Sequence, residues 1–260
     1  MDLKLTGKRA VITGGSRGIG FAIAQALAAE GCDLALVGRD ESAAAAAAAV
    51  IASESGRRVV AIPADTGDDE SVRLMAERAV AELGGVDILV NSAATPNIGG
   101  ALREENLAHE LNVKALGYLR CARAFAPGMA EAGWGRIISV AGLATRQAGT
   151  IVGTVRNVAV SAITKNLADE LGPSGINVTV VHPGFTRTET TDGVLAAMAQ
   201  ERGVEVGDVE AGIAGGISIG RIVSADEIAS VVTFLASPLS VPITGDAIPV
   251  GGGARGPIYY

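Results

Sequence analysis

Short runs of β-branched and apolar residues alternate along the chain with longer stretches whose apolar positions recur every three or four residues, the pattern of βαβ units around a parallel sheet. The runs predict strands at Arg9–Thr13, Asp33–Val37, Arg58–Ile62, Val86–Asn91, Arg136–Val140, Ile176–His182 and Asp246–Val250. Several are apolar almost throughout, as strands buried on both faces are. The helical stretches fall at 18–30, 41–54, 68–83, 104–131, 152–172 and 225–236. Seven alanines, Ala43–Ala49, follow the capping sequence Asp40-Glu41-Ser42 and read as a helix lying on the sheet, because alanine is the strongest helix former. No long period repeats and no linker divides the chain, so the expectation is one doubly wound α/β domain with a parallel sheet of about seven strands. The Gly-rich, weakly periodic segment 186–220 follows a strand end, where open α/β sheets place their ligands, and is expected to be an insertion over a site.

Composition narrows the classes. The 260 residues are 48% hydrophobic and 19% charged, as in a compact globular chain. Acidic side chains outnumber basic ones, 28 to 21, so nucleic acid and anionic membrane surfaces are not expected as partners. Two cysteines, Cys32 and Cys121, make no disulfide framework, and Met1–Lys8 lacks the apolar stretch of a secretory signal. A cytoplasmic protein without a transmembrane segment is expected. The two histidines have no partner at metal-ligand spacing, so no metal is expected, and His182 reads as structural.

The chemistry begins at the first strand, which runs into Thr13-Gly14-Gly15-Ser16-Arg17-Gly18-Ile19-Gly20 and then a helix. Glycines there let the backbone turn sharply and approach a pyrophosphate, while the helix N-terminus offers free N–H groups. With a strand before and a helix after, this is a dinucleotide loop of the Rossmann type. The same residues match G-x-S-x-G, the elbow that carries a hydrolase nucleophile, but that elbow follows a strand well inside a long sheet rather than the first. Ser16 is therefore read as a phosphate hydrogen-bond donor. The second strand ends at Gly38-Arg39-Asp40. A carboxylate at that end grips the adenosine ribose, whereas a guanidinium binds a 2′-phosphate, so Arg39 and Arg17 favour NADP(H) over NAD(H), with Asp40 keeping NAD(H) open.

These residues resemble the short-chain dehydrogenase/reductase family over nearly the whole chain. The resemblance is carried by the loop Thr13–Gly20, by Ala64-Asp65, by Asn91-Ser92-Ala93-Ala94, by Leu111-Asn112-Val113 and by Pro183-Gly184 with Thr188 beyond. It implies cofactor contacts from Gly14, Ser16, Arg17, Gly18, Ile19, Gly20, Arg39, Asp65, Thr66, Asn91, Ala93, Pro183, Gly184, Thr186 and Thr188. It also implies a small-molecule substrate and assembly as a homodimer or homotetramer.

The family's chemistry uses a Tyr four residues before a Lys on one helix, with a Ser at the end of the preceding strand. A phenol of pKa about 10 becomes useful near neutrality only beside an ammonium. Here Thr164-Lys165-Asn166-Leu167-Ala168 matches the helix body, which puts Gly153 at the Tyr position and Asn157 at the Lys position, while Arg136–Gly142 places Gly142, or Ala141 with one residue of slip, at the Ser position; a register taken from Gly142 puts Val155 and Ala159 at the Tyr and Lys positions instead. Of the four catalytic positions Asn112 alone keeps the family's residue, and Asn157 is the second candidate, as an amide that hydrogen-bonds where an ammonium otherwise would. Polar residues expected near the mouth are Ser139, Thr145, Arg146, Gln147, Thr150, Thr154 and Arg156, with an arginine there able to stabilise an oxyanion. The C-terminal Tyr259 and Tyr260 offer a substitute phenol or interface packing. The expected activity is hydride transfer between NADP(H) and a small carbonyl or alcohol through an atypical site. The alternatives are a catalytically inactive dinucleotide-binding scaffold or sensor and a non-redox isomerase or lyase.

Overall fold

The computed structural model describes residues 1–94, 104–146 and 150–256. The strands are β1 (Arg9–Thr13), β2 (Asp33–Gly38), β3 (Val59–Pro63), β4 (Ile88–Asn91), β5 (Gly135–Val140), β6 (Ile176–Pro183), β7 (Thr186–Arg187), β8 (Val223–Ser224) and β9 (Ala247–Val250). The helices are α1 (Gly18–Ala29), α2 (Glu41–Ser55), α3 (Asp69–Leu83), α4 (Glu104–Glu110), α5 (Gly117–Glu131), α6 (Ile151–Leu171), α7 (Thr191–Arg202), α8 (Val206–Gly215) and α9 (Ala225–Ala236). Seven strands form one parallel sheet in the order β3-β2-β1-β4-β5-β6-β9. All seven predicted strands are present; the largest change is at β4, which begins at Ile88 rather than Val86.

Side chains alternate across a strand, so each strand supplies two cores. Ile12, Leu34, Leu36 and Ile88 face a layer made with Ile23, Leu27, Ile51 and Val232. Val11, Ala35, Val37 and Leu89 face the opposite layer, with Val72, Met75, Phe125 and Leu167. The alanine run does form a helix: Asp40 caps it by accepting from Ala43 N, and Ala44, Ala47, Ala48 and Ile51 are its buried stripe. Among the described residues no helix is long and apolar enough to cross a membrane, and no cluster of His, Cys, Asp or Glu is arranged for a metal.

Two features depart from the expected pattern. The helix expected over 104–131 is interrupted by a π-turn at Leu111–Leu116. The wider turn loosens carbonyls that the flanking elements take up: Thr66 Oγ1 donates to Val113 O at 3.2 Å, and Arg120 Nη1 to Asn112 O at 3.1 Å. The segment after β6 is a helical hairpin, α7 and α8, closed at its base by the β7–β8 pair and holding a small core of Leu195, Ala199 and Val209. Leu195 is buried there, whereas the neighbouring Val194 is exposed.

Candidate functional site

The chain runs from β1 through β2 to β3 on one side of the sheet and then returns to β4 on the other side of β1. That reversal leaves a crevice at the carboxyl ends of β1 and β4, the topological switch point. Thr13, at the end of β1, organises it: its Oγ1 accepts from Ser92 N at 3.1 Å and from Ala93 N at 3.2 Å. The glycines of the following turn are set by contact. A Cβ on Gly14 would lie 2.9 Å from Ala93, and one on Gly20 would lie 2.2 Å from the Gly14 carbonyl oxygen. Gly18 instead needs its left-handed backbone, at φ +57°.

The structure brings most of the expected dinucleotide residues to this edge. Ser16 Oγ is 3.8 Å from where a Cβ on Gly38 would be, so the loop and the end of β2 share one corner. Arg17 and Arg39 are both exposed, and among the described residues neither forms an ion pair. Asp65 accepts from Gly67 N at 2.8 Å, and Asn91 Nδ2 donates to Tyr118 O at 3.3 Å while its buried Oδ1 has no partner among the described residues. Thr186 Oγ1 donates to Gly184 O at 3.0 Å, and Thr188 lies among Thr190 and Thr191. From the same segment the Glu189 carboxylate accepts from Gly18 N at 3.1 and 3.2 Å, so an anion sits on the first amide of α1. Its charge and position were not singled out in the sequence, because 171 residues separate the two groups.

At the end of β5 the chain passes Ala141 and Gly142 and reaches α6, whose first turn is capped by Thr150 accepting from Gly153 N at 3.1 Å. Asn157 is buried one turn further along, with its Nδ2 3.1 Å from where a Cβ on Gly142 would be and its Oδ1 without a partner among the described residues. Asn112 is engaged at both ends of its amide, donating to Gly67 O at 2.9 Å and accepting from Arg120 Nη2 at 2.9 Å. Ser139 is buried within β5, and Thr145 Oγ1 donates to Gly142 O at 2.8 Å. Arg156 is not an open guanidinium at the mouth: it forms a buried ion pair with Glu110 of α4, and Arg146 donates to Ala247 O at 3.2 Å. Gln147, Tyr259 and Tyr260 lie outside the described residues.

A lysine that the sequence reading passed over lies here as well. Lys114, inside the π-turn, is buried and donates from Nζ to Ala141 O at 3.0 Å. Burial is the main reason its pKa falls to about 7, with Arg156 lowering it further and Glu110 opposing. The signal was present as Glu110, Lys114 and Tyr118 at four-residue spacing on one helical face. Tyr118 is no substitute acid, because burial pushes its pKa up and its hydroxyl already donates to Ala93 O at 2.9 Å and Val140 O at 3.2 Å.

His182, fully buried at the end of β6, accepts at Nδ1 from Gly142 N at 3.3 Å, which leaves Nε2 as the protonated nitrogen facing Ser161 Oγ at 3.4 Å. Burial first, then Arg146 and Lys114, holds its pKa down to about 4. A neutral histidine of this kind stabilises the fold above the unfolded pKa near 6.5, and the benefit is lost as pH falls toward 4 because the unfolded chain binds the extra proton. The variant H182N is expected to flatten this acid limb, removing about 3 kcal/mol of the wild type's stability change between pH 7 and pH 4. Urea melts at both pH values check it.

The parallel sheet with its reversal at β1 and β4, and the glycine turn at that reversal, define a Rossmann-type α/β protein. A family model described as enoyl-(acyl carrier protein) reductase matches residues 14–255. The chain is 32% identical over 257 residues to the 3-oxoacyl-[acyl-carrier-protein] reductase FabG of Aquifex aeolicus, covering 97% of this chain and 99% of that one. Among solved structures it resembles L-sorbose reductase from Gluconobacter frateurii complexed with NADPH and L-sorbose, with a TM-score of 0.91, 29% identity and coverage of 99% and 100%. A short-chain dehydrogenase from Burkholderia cenocepacia in complex with NADP matches with a TM-score of 0.84, 36% identity and coverage of 97% and 100%. The chain belongs to the short-chain dehydrogenase/reductase family and is an oxidoreductase of that type.

Proposed function

We propose that this protein is an NADP(H)-dependent reductase or dehydrogenase of a small carbonyl or alcohol, working as one domain with the 186–220 hairpin over the substrate and without the Ser, Tyr and Lys of its family. The single observation that carries the cofactor is the glycine turn at the switch point, packed so closely at Gly14 and Gly20 that no side chain fits there, with the first amides of α1 behind it; the Glu189 carboxylate on Gly18 N would have to yield to a pyrophosphate. Gly14 and Gly20 shape that turn, Ser16 lies beside Gly38 at the end of β2, and Ile19, Arg17 and Arg39 would complete the contacts to the adenosine half. Structures alike in fold include both NADPH and NAD+ complexes, so the preference rests on the two exposed arginines, which would bind a 2′-phosphate. Asp65 and Thr66 would line the adenine, Asn91 and Ala93 the ribose side, and Pro183, Gly184, Thr186 and Thr188 the nicotinamide. The bound nicotinamide would supply or accept the hydride. The chain's own residues orient the substrate carbon and manage the proton. Asn112 would hold the π-turn against the 65–67 loop, and Asn157 would offer its open Oδ1 to a hydroxyl. A homodimer or homotetramer is the expected assembly.

The test is a titration of cofactor-free protein with NADPH and with NADH, followed by NADPH consumption with 2,3-butanedione, ethyl acetoacetate and L-sorbose. Preferential binding of NADPH and its oxidation by any of the three supports the reading. The R39A variant is expected to lose about 10- to 100-fold in NADPH affinity and nothing in NADH affinity, the value of one charge-assisted phosphate contact. Equal loss for both cofactors would move Arg39 away from the 2′-phosphate.

A further inference from the structure

We propose that Lys114 is the proton-transferring residue of this site, reaching from the π-turn of one helix to the position that the family serves from another. The assignment rests on the oxidoreductase reading above. Lys114 is 5% exposed, yet its stem lies in a region where an apolar residue would pack without the cost of burying an ammonium. Its Nζ is aimed at the Ala141 carbonyl, the residue next to Gly142 beyond the carboxyl end of β5. On that neighbouring residue converges Asn157 of α6, also buried.

The hydrogen-bonding of the pair is incomplete in a complementary way. An ammonium carries three donors, and among the described residues one of them, to Ala141, is used. The Asn157 Oδ1 is an acceptor with no donor among the described residues. Buried groups in that condition call for a partner. One oxygen atom satisfies both: it accepts from Nζ and, once protonated, donates to Oδ1. A carbonyl on its way to an alcohol is such an atom. Gly142 presents no side chain against it, and the described atom nearest to where its Cβ would be is Asn157 Nδ2 at 3.1 Å.

The charged and titratable groups facing Lys114 are Glu110 from the preceding turn, Arg156 from α6 and His182 from β6, with Tyr118 one turn further on. Glu110 is held by Arg156, and His182 is kept neutral by burial. Their balance leaves the amine exchanging its proton near neutrality, where an ordinary lysine stays charged. In the reducing direction a bound reduced nicotinamide would supply the hydride to the substrate carbon, the C=O π pair would move to oxygen, and Lys114 would give that oxygen its proton. An N–H bond of Lys114 breaks, an O–H bond forms, and water reprotonates the neutral amine. In the oxidising direction the neutral amine takes the hydroxyl proton.

The experiment compares wild type with K114M and K114R, using NADPH with 2,3-butanedione, ethyl acetoacetate and L-sorbose. Three quantities are read: NADPH affinity by fluorescence, the pH profile of kcat/KM, and the melting temperature of cofactor-free protein from pH 6 to pH 10. K114M is expected to bind NADPH within about threefold of wild type and to lose about 10²- to 10⁴-fold in kcat/KM, as for removal of a positioned acid. The wild-type reduction rate should fall above pH 7, and both variants should lack that break. In cofactor-free protein the wild type should gain melting temperature relative to K114M between pH 7 and pH 10, because the unfolded lysine still binds the proton that the folded one has lost. If methionine does not fold there, K114R, which keeps the charge but does not release it, carries the same comparison. Unchanged kcat/KM with the break retained, or a melting difference flat with pH, overturns the assignment of Lys114 alone. Wild type that binds NADPH but reduces none of the three probes overturns the redox reading, and this role with it.

Discussion

Replacing Gly20 by valine should abolish dinucleotide binding and destabilise the fold by about 3 kcal/mol, the upper range for overpacking a closed contact. The cause is a single distance. A Cβ at Gly20 would sit 2.2 Å from the Gly14 carbonyl oxygen and 3.3 Å from the Gly15 Cα, and both neighbours are backbone. No rotamer change relieves that clash, so the turn must open, and Gly14 itself is held 2.9 Å from Ala93 by the same measure. Opening the turn moves the first amides of α1 away from the crevice, and a displacement of about 1 Å at such a contact costs on the order of 100-fold in function. Urea denaturation gives the stability change, and NADPH fluorescence gives the affinity. G18A is the contrast, because its Cβ would meet only the Thr188 methyl at 3.8 Å and the strain there comes from φ alone. It should lose about 1 kcal/mol or somewhat more. Equal effects at the two positions would mean that backbone conformation, and not the close approach, dictates both glycines.

The buried pair between Glu110 and Arg156 carries the second large effect, and the effect is asymmetric. Both side chains are mostly out of water, at 10% and 15% exposure. Removing one partner of such a pair costs about 3–5 kcal/mol because the other charge stays buried. E110L leaves two cations, Arg156 and Lys114, facing each other, whereas R156M leaves Glu110 one helical turn from Lys114, which then balances it. E110L should therefore be the worse variant, by about 1 kcal/mol or more, and should push the Lys114 ionisation below 7; R156M should raise it. Urea melts with unchanged m-values rank the two variants. The pH at which the difference from their K114M double mutants appears reports the shift. Equal destabilisation by both would show that Lys114 does not share the field of the pair.

Much of this protein is legible in short windows of its sequence. The short apolar strand runs, the capped alanine helix and the turn from Thr13 to Gly20 are each recognisable within a dozen residues, so pattern alone places them. Their order along the chain is that of a doubly wound sheet, whose ligands sit outside the carboxyl ends of the strands. The residues at 142, 153 and 157 are legible only by position against a family pattern. The π-turn is not legible in either way, because one extra residue per turn is stabilised by Thr66 and Arg120 acting from outside it. Nor are the contacts that give the site its charge: Glu189 on Gly18, Glu110 on Arg156 and Lys114 on Ala141 join residues 171, 46 and 27 apart. Local sequence determines which backbone each segment adopts. Which buried charge meets which is decided only when the layers pack, because the energy of a charge depends on burial and on neighbours that the chain brings together in space.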